Sequence, residues 1–251
     1  MYVDTHCHIF DEYYEDINLV LSKSKSLGAK TFINAGCDDK SNKEIIKKVS
    51  LYDNMYGAIG IHPEVSNSYT EEDLKFIESN LNNDKILAIG EIGLDYHYDD
   101  FDKTRQIELF EKQLALAEKY NIPVVIHSRD ATEDTIKCLK KYNVKGIVHS
   151  FSGSKETAEI YIKMGFLLGI NGVVTFKNAH IKEVIKEIGI NHFVLETDSP
   201  YLTPHPFRGE KNFPGNISVI IDFLSEYLSV DKDYIINITN ENVKSLFPII
   251  K

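Results

Sequence analysis

The sequence predicts an α/β chain whose eight strand–helix pairs close into a (β/α)8 TIM barrel. Three observations carry that expectation. Short apolar runs alternate with amphipathic stretches along the whole chain. The runs are apolar on both faces, as in parallel strands covered by helices. The length, 251 residues, matches the roughly 250 that such a barrel takes. No Pro/Gly/Ser-rich linker or composition break divides residues 1–251, so the chain reads as one domain. A doubly wound open sheet is the second choice, but no GxGxxG follows the first run.

The expected strands are Tyr2–Thr5, Lys30–Asn34, Tyr56–Ile61, Ile86–Gly90, Pro123–Ile126, Gly146–Val148, Phe166–Ile170 and Phe193–Leu195. Each is short, rich in β-branched or other apolar residues, and lacks polar alternation. Between and after them lie Ile17–Leu27, Ser41–Leu51, Glu71–Leu81, Asp102–Tyr120, Thr132–Tyr142, Lys155–Met164, Lys177–Ile188 and Asn216–Leu228, where apolar residues recur near the 3.6 period. Ser41-Asn42-Lys43-Glu44 and Thr70-Glu71-Glu72-Asp73 have the composition of helix N-termini. Gly28, Gly146, Gly165 and Gly189 stand after helical stretches and before strands, where a left-handed C-cap is expected. Alternating parallel strands and crossover helices close in one hand. The tail, Val230–Leu246, reads as extra helix outside the barrel, centred on residues 230–247.

Composition removes several functional classes. With 43% hydrophobic and 26% charged residues, disorder, collagen and coiled coil drop out. Lys+Arg is 28 against Asp+Glu 38, a net charge of −10, so any grip on a polyanion must be local. No apolar run approaches the roughly 20 residues that span a bilayer, and no membrane role is expected. Met1-Tyr2-Val3-Asp4-Thr5-His6 lacks a basic stretch followed by an apolar one, so no secretory signal is expected. Cys7, Cys37 and Cys138 are too few and too far apart for a disulfide framework, which points to the cytoplasm.

Barrel active sites lie where strands end, and polar residues collect there. His6 and His8 flank Cys7 at the end of the first run, and alternation puts both imidazoles on one face. Glu91 follows the fourth run, His127 the fifth, His149 the sixth and Asp198 the eighth. Such groups are costly to bury unless paired or ligated. Four histidines and two carboxylates exceed one tetrahedral zinc site. They suit two divalent ions, with Glu91 in the middle strand as the candidate bridge.

Thr5-His6-Cys7-His8, Gly90-Glu91-Ile92-Gly93-Leu94-Asp95-Tyr96, His127-Ser128-Arg129-Asp130-Ala131, His149-Ser150-Phe151-Ser152-Gly153 and Glu196-Thr197-Asp198-Ser199-Pro200-Tyr201-Leu202 resemble the motif set of the TatD family of metal-dependent hydrolases and DNases. The motifs span residues 4 to about 214. The resemblance implies a metal-bearing TIM barrel with His6, His8, Glu91 and Asp198 on one metal and Glu91, His127 and His149 on the other. It implies a divalent-cation-dependent deoxyribonuclease, of 3′→5′ exonuclease type in some members. Two positions depart from the pattern. Glu64, in Gly60-Ile61-His62-Pro63-Glu64, and Phe213, in Arg208-Gly209-Glu210-Lys211-Asn212-Phe213-Pro214, replace a usual His and a usual Glu.

Catalysis is expected to fall to Glu91 and Asp198, with Asp198 taking the proton of a metal-activated water. Metal identity stays open among Mg²⁺, Mn²⁺ and Zn²⁺. Arg129 shares the His127 face and suits a phosphate. His62 is expected to meet a phosphate or leaving group, Tyr201 to stack on a base or bond a phosphate, and Arg208 to meet substrate from its loop. Asp95 is placed to orient a ligand histidine. Tyr96, His97 and Tyr98 read as loop packing, and His180, His192 and His205 as surface or packing. The expected substrates are DNA ends, short single strands or small phosphodiesters, with a log-affinity against log-salt slope shallower than about −5. No obligate protein partner is expected. The alternatives are a same-fold hydrolase of an amide or ester, such as a D-aminoacyl-tRNA deacylase, and a scaffold with a vestigial metal site.

Overall fold

A computed structural model describes residues 1–250. The strands are β1 (Tyr2–Cys7), β2 (Ala29–Ala35), β3 (Met55–Ile59), β4 (Ile86–Asp95), β5 (Val124–Arg129), β6 (Gly146–Val148), β7 (Phe166–Ile170) and β8 (Phe193–Leu195). The helices are α1 (Ile17–Ser26), α2 (Asp39–Leu51), α3 (Glu71–Asn80), α4 (Lys103–Tyr120), α5 (Thr132–Leu139), α6 (Lys155–Lys163), α7 (Ile181–Ile188), α8 (Ile217–Leu228) and α9 (Lys232–Leu246). The strands belong to one eight-stranded sheet in chain order, with parallel pairing. The end of β1 and the segment after β8 meet through a Cys7–Ser199 bridge and a 2.7 Å bond from the His8 N–H to the Ser199 carbonyl. This is the (β/α)8 barrel order. No helix is long and apolar enough to cross a membrane among the described residues, and Cys7, Cys37 and Cys138 are all free thiols.

The chain packs as two compact units, Met1–Asn34 with His149–Lys251, and Ala35–Val148. In the first, Phe32, Ile33, Leu168, Val194 and Leu195 are buried with Ile185, Ile220 and Leu224 of α7 and α8. Each such side chain contributes roughly 1.5–3 kcal/mol by leaving water. Helix α9 lies against β1 and β8, and the Asn242 amide donates to the Phe193 carbonyl at 2.8 Å. The tail expected outside the barrel therefore covers this strand pair.

In the second unit, Ile59, Ile89, Val125, Ile126 and Ile147 are buried with Ile45, Phe110 and Leu114 of α2 and α4. Helix α2 begins two residues earlier than the sequence suggested. Asp38 is its N-cap, and Ser41 closes a capping box from the third helical position. The Thr70 box with Asp73 forms as expected. Helix α7 starts at Ile181, four residues after the expected Lys177, because a turn comes first, with Ala179 N–H donating to the Phe176 carbonyl at 3.1 Å.

Gly28, Gly165 and Gly189 take positive φ, as C-cap glycines should. Gly146 is a correction: it opens β6 rather than capping a helix. The reason for a glycine there is proximity, since a Cβ would lie 1.9 Å from the Val124 carbonyl oxygen. Gly146→Ala is expected to destabilise the protein by about 1–3 kcal/mol, as overpacking does, read by urea unfolding; an unchanged midpoint would contradict the close-approach reading.

Candidate metal-binding clusters

In the first unit, β1 ends on the His6-Cys7-His8 segment. The Nε2 atoms of His6 and His8 lie 3.2 Å apart, while the Cys7 thiol turns to the Ile33 carbonyl at 3.4 Å. Asp198, just past β8, brings Oδ1 to 3.3 Å from His8 Nε2 and 3.6 Å from His6 Nε2. His149, just past β6, stacks on His6 with ring centroids 4.0 Å apart. One ligand atom from each of His6, His149 and Asp198 falls within 4.8 Å of the others. Burial raises the Asp198 carboxyl, but the His8 hydrogen bond and the charges of His149, His6 and His8 outweigh it and hold the group below the usual carboxylate range.

The chain takes strained backbone here. Asp198 and Ser150 have φ of 55° and 48°, a left-handed conformation costing about 1–2 kcal/mol for a non-glycine residue. Bonds to fixed groups hold both: Asp198 N–H donates to the His6 carbonyl at 2.9 Å, and Ser150 N–H to Glu196 Oε1 at 2.5 Å. The Glu196 carboxylate, fully buried, also lies 3.7 Å from His149 Nδ1. Asp4 ties the two ligand segments together. It accepts from His6 N–H at 3.2 Å, Thr197 N–H at 3.0 Å and the Thr197 hydroxyl at 2.6 Å. Burial, the largest influence, pushes its carboxyl well above the usual range against those bonds.

In the second unit, Glu91 and His127 lie inside β4 and β5 rather than after them, because both strands run several residues past their apolar cores. The β4–β5 register shifts between Ile89 and Ile92, and Glu91 N–H donates to the Gly36 carbonyl at 2.9 Å. Pairing resumes at Gly93–His127, where a Cβ on Gly93 would sit 1.9 Å from the His127 carbonyl oxygen. Glu91 Oε1 is 2.9 Å from His127 Nδ1 and 3.5 Å from His62 Nε2. Ligand atoms of His62, Glu91 and His127 fall within 4.8 Å of one another.

The other nitrogen of His127 meets Asp95 Oδ2 at 2.9 Å, the carboxylate–histidine arrangement that orients metal ligands. Burial raises the Asp95 carboxyl, but its bonds from His127 and the His97 N–H, with the charges of His127 and Arg129, leave it below its ordinary value. His62 Nδ1 accepts the Glu64 N–H at 3.3 Å. In the neutral ring this puts the proton on Nε2, the atom facing Glu91, so His62 is arranged as a hydrogen-bond donor.

Buried amides fix the backbone around these ligands. Asn34 accepts from Ile9 N–H at 2.6 Å and donates to its carbonyl at 3.3 Å. Gln113 binds both backbone groups of Ile61, at 2.8 and 3.0 Å, and Gln106 those of Asp95, at 2.9 and 2.8 Å. Sequence reading missed all three, and missed Asp4, Glu196 and Cys37, whose thiol donates to Glu91 Oε2 at 3.7 Å. A usable signal was there for the glutamines: they stand seven apart on one face of α4, among apolar neighbours.

The expected substrate residues are placed separately. The Arg129 guanidinium lies 5.6 Å from the Tyr98 ring centre, and that of Arg208 4.4 Å from the Phe176 ring. Tyr201, half-exposed, donates to the Tyr13 hydroxyl at 3.1 Å and lies edge-on to His8 at 6.1 Å. Phe213 carries the Lys23 ammonium over its ring at 4.2 Å. His180 is exposed.

The family profile described as TatD related DNase matches residues 3–248. The chain belongs to the TatD-related DNase family. This TatD-family chain is 42% identical over 254 residues to a protein of Bacillus subtilis (strain 168) named uncharacterized metal-dependent hydrolase YabD, covering 99% of this chain and 100% of that one. Its fold superposes on the crystal structure of YjjV, a TatD homologue from Escherichia coli K12, with TM-score 0.94, 29% identity and coverage of 99% and 98%. A TatD family hydrolase from Entamoeba histolytica gives TM-score 0.85 at 27% identity, covering 98% and 97%.

Proposed function

We propose that this TatD-family protein is a divalent-cation-dependent hydrolase of phosphodiester bonds. It acts as a deoxyribonuclease of 3′→5′ exonuclease type on DNA ends, short single strands or small phosphodiesters. The supporting observation is the donor chemistry of the two clusters: imidazole nitrogens and carboxylate oxygens within 4.8 Å of one another at strand ends. That mixture suits borderline and hard divalent cations. In this reading the assignment is the one the family pattern implies: His6, His8, Glu91 and Asp198 for one ion, and Glu91, His127 and His149 for the other.

Bound divalent cations would supply Lewis acidity and a water acidified to near neutrality. The rest falls to the chain's own groups. Asp198 stays ionised and accepts the proton of the attacking water. Asp95 holds the His127 ring through Nε2, leaving Nδ1 for ligation. His62 Nε2–H donates to a phosphoryl or leaving oxygen, and Arg129 offers a planar guanidinium to a phosphate. The net charge of −10 supports a few local contacts over a long duplex groove. A cytoplasmic location, reasoned from three scattered cysteines, belongs to the same proposal.

The test is cleavage of single- and double-stranded oligonucleotides with a panel of Mg²⁺, Mn²⁺ and Zn²⁺. Cleavage should vanish with EDTA and return with a divalent cation, and Arg129→Ala should lower kcat/KM about tenfold or more, as losing a transition-state contact does. Absence of phosphodiester cleavage with every metal would contradict the proposal.

A further inference from the structure

The second unit has a cavity of about 300 Å³ lined by Glu64, Ser66, Asp95, Tyr98, Asp100 and Phe101, among others. It adjoins the Glu91–His127 cluster, because Asp95 both lines it and holds His127 Nε2 at 2.9 Å. Glu64 lines it too, with Oε2 3.9 Å from His62 Nδ1.

The lining has a definite chemistry. Two aromatic rings supply flat faces: Tyr98, half-exposed, and Phe101, itself stacked on Tyr96 at 4.7 Å. Among the described residues no lysine or arginine lines it. Two guanidinium groups border it without lining it: Arg105 Nε donates to the Ser66 carbonyl at 3.2 Å, and Arg129 lies over the Tyr98 ring. Asp102 is occupied as the N-cap of α4, and Asp95 by His127 and the His97 N–H. Glu64 and Asp100, both exposed, are the other carboxylates of the lining. Ser66 is only 2% exposed and lines the cavity.

The carboxylates ask for N–H donors, and the rings ask for a flat apolar face. The volume is at the small end of ligand pockets, which run from roughly 300 to 1,000 Å³, and suits one ring system better than a nucleotide with its phosphate.

We propose that this cavity is a nucleobase subsite that holds the base next to the scissile phosphodiester and selects bases with an exocyclic amino group. Cytosine, adenine and guanine present an amino donor to a carboxylate, and every base offers a face to stack on Tyr98 or Phe101. Thymine, which has no exocyclic amino group and offers a carboxylate only its ring N3–H, is disfavoured. The inference rests on the phosphodiesterase reading for its role in turnover, but the binding preference is measurable without turnover.

The experiment is equilibrium binding of deoxycytidine, deoxyadenosine, deoxyguanosine and thymidine to the full chain by NMR or calorimetry, beside cleavage of short single strands that differ only in the terminal base. The three amino-bearing nucleosides should bind about tenfold or more tighter than thymidine, the effect of one or two directed hydrogen bonds, and kcat/KM should follow the same order. Glu64→Gln combined with Asp100→Asn should flatten the preference, and Ser66→Phe should fill the cavity and abolish nucleoside binding. Circular dichroism of each variant checks that it is folded. Selective nucleoside binding without DNA cleavage would leave the subsite standing and remove the nuclease reading. DNA cleavage with all four nucleosides bound alike, or none bound, would overturn the subsite.

Discussion

Glu91→Ala is expected to lower kcat on a DNA substrate by at least about a thousandfold, beyond the roughly 10–100-fold typical of groups behind the ligands. It should also reduce the bound metal by about one ion per chain. The reason is the position of this carboxylate. Oε1 faces His127 at 2.9 Å and His62 at 3.5 Å, and Oε2 takes the Cys37 thiol at 3.7 Å. No neighbour can substitute for it, since Asp95 is already committed to the far side of the His127 ring. Metal analysis by mass spectrometry beside steady-state rates checks the prediction. Cys37→Ser, which keeps a donor to Oε2, should retain most activity. Full metal content and full activity in Glu91→Ala would remove Glu91 from the centre.

Asp4→Ala is expected to cost about 3–5 kcal/mol of stability, the scale of breaking a buried polar network. Asp4 is wholly buried and satisfies three donors, His6 N–H and both donors of Thr197. With alanine, those groups stay buried without a partner, and the segments carrying His6 and Asp198 lose their common anchor. For a chain of this length each kcal/mol moves the midpoint by roughly 2–4 °C, so a fall of about 6–20 °C is expected in thermal unfolding. Asp4→Asn, which keeps an acceptor for the Thr197 N–H, should lose less. A midpoint within a degree or two of the parent would show that the network is not structural.

Much of the fold was legible because burial on both faces writes itself into short apolar runs. Those runs located all eight strands, with β6, β7 and β8 correct to the residue. Where the chemistry sits, the same reasoning stopped early. It ended the fourth and fifth strands at Gly90 and Ile126, because Glu91, Asp95, His127 and Arg129 are polar, yet the backbone continues extended to Asp95 and Arg129. A strand that carries ligands must break the apolar pattern that identifies it. The ligand types themselves were readable, since a histidine or carboxylate after an apolar run is costly without a purpose.

What holds them was not readable. Asp4 looked like one polar residue in a short run, Glu196 like the end of another, and Gln106 and Gln113 like ordinary helix residues. Their roles depend on partners far along the chain, as in the Thr197–Asp4 bonds across 193 positions. Gly146 shows the same limit: its place before a strand suggested a helix cap, whereas the cause is the Val124 carbonyl of the neighbouring strand.

The account turns on six side chains acting as ligands to two cations. Anomalous diffraction from crystals grown with Mn²⁺ or Zn²⁺ tests this most directly. The account predicts two peaks, one bonded to His6, His8, Glu91 and Asp198 and one bonded to Glu91, His127 and His149, both absent after chelation. Peaks confined to surface carboxylates, or none at these residues under saturating metal, would contradict it.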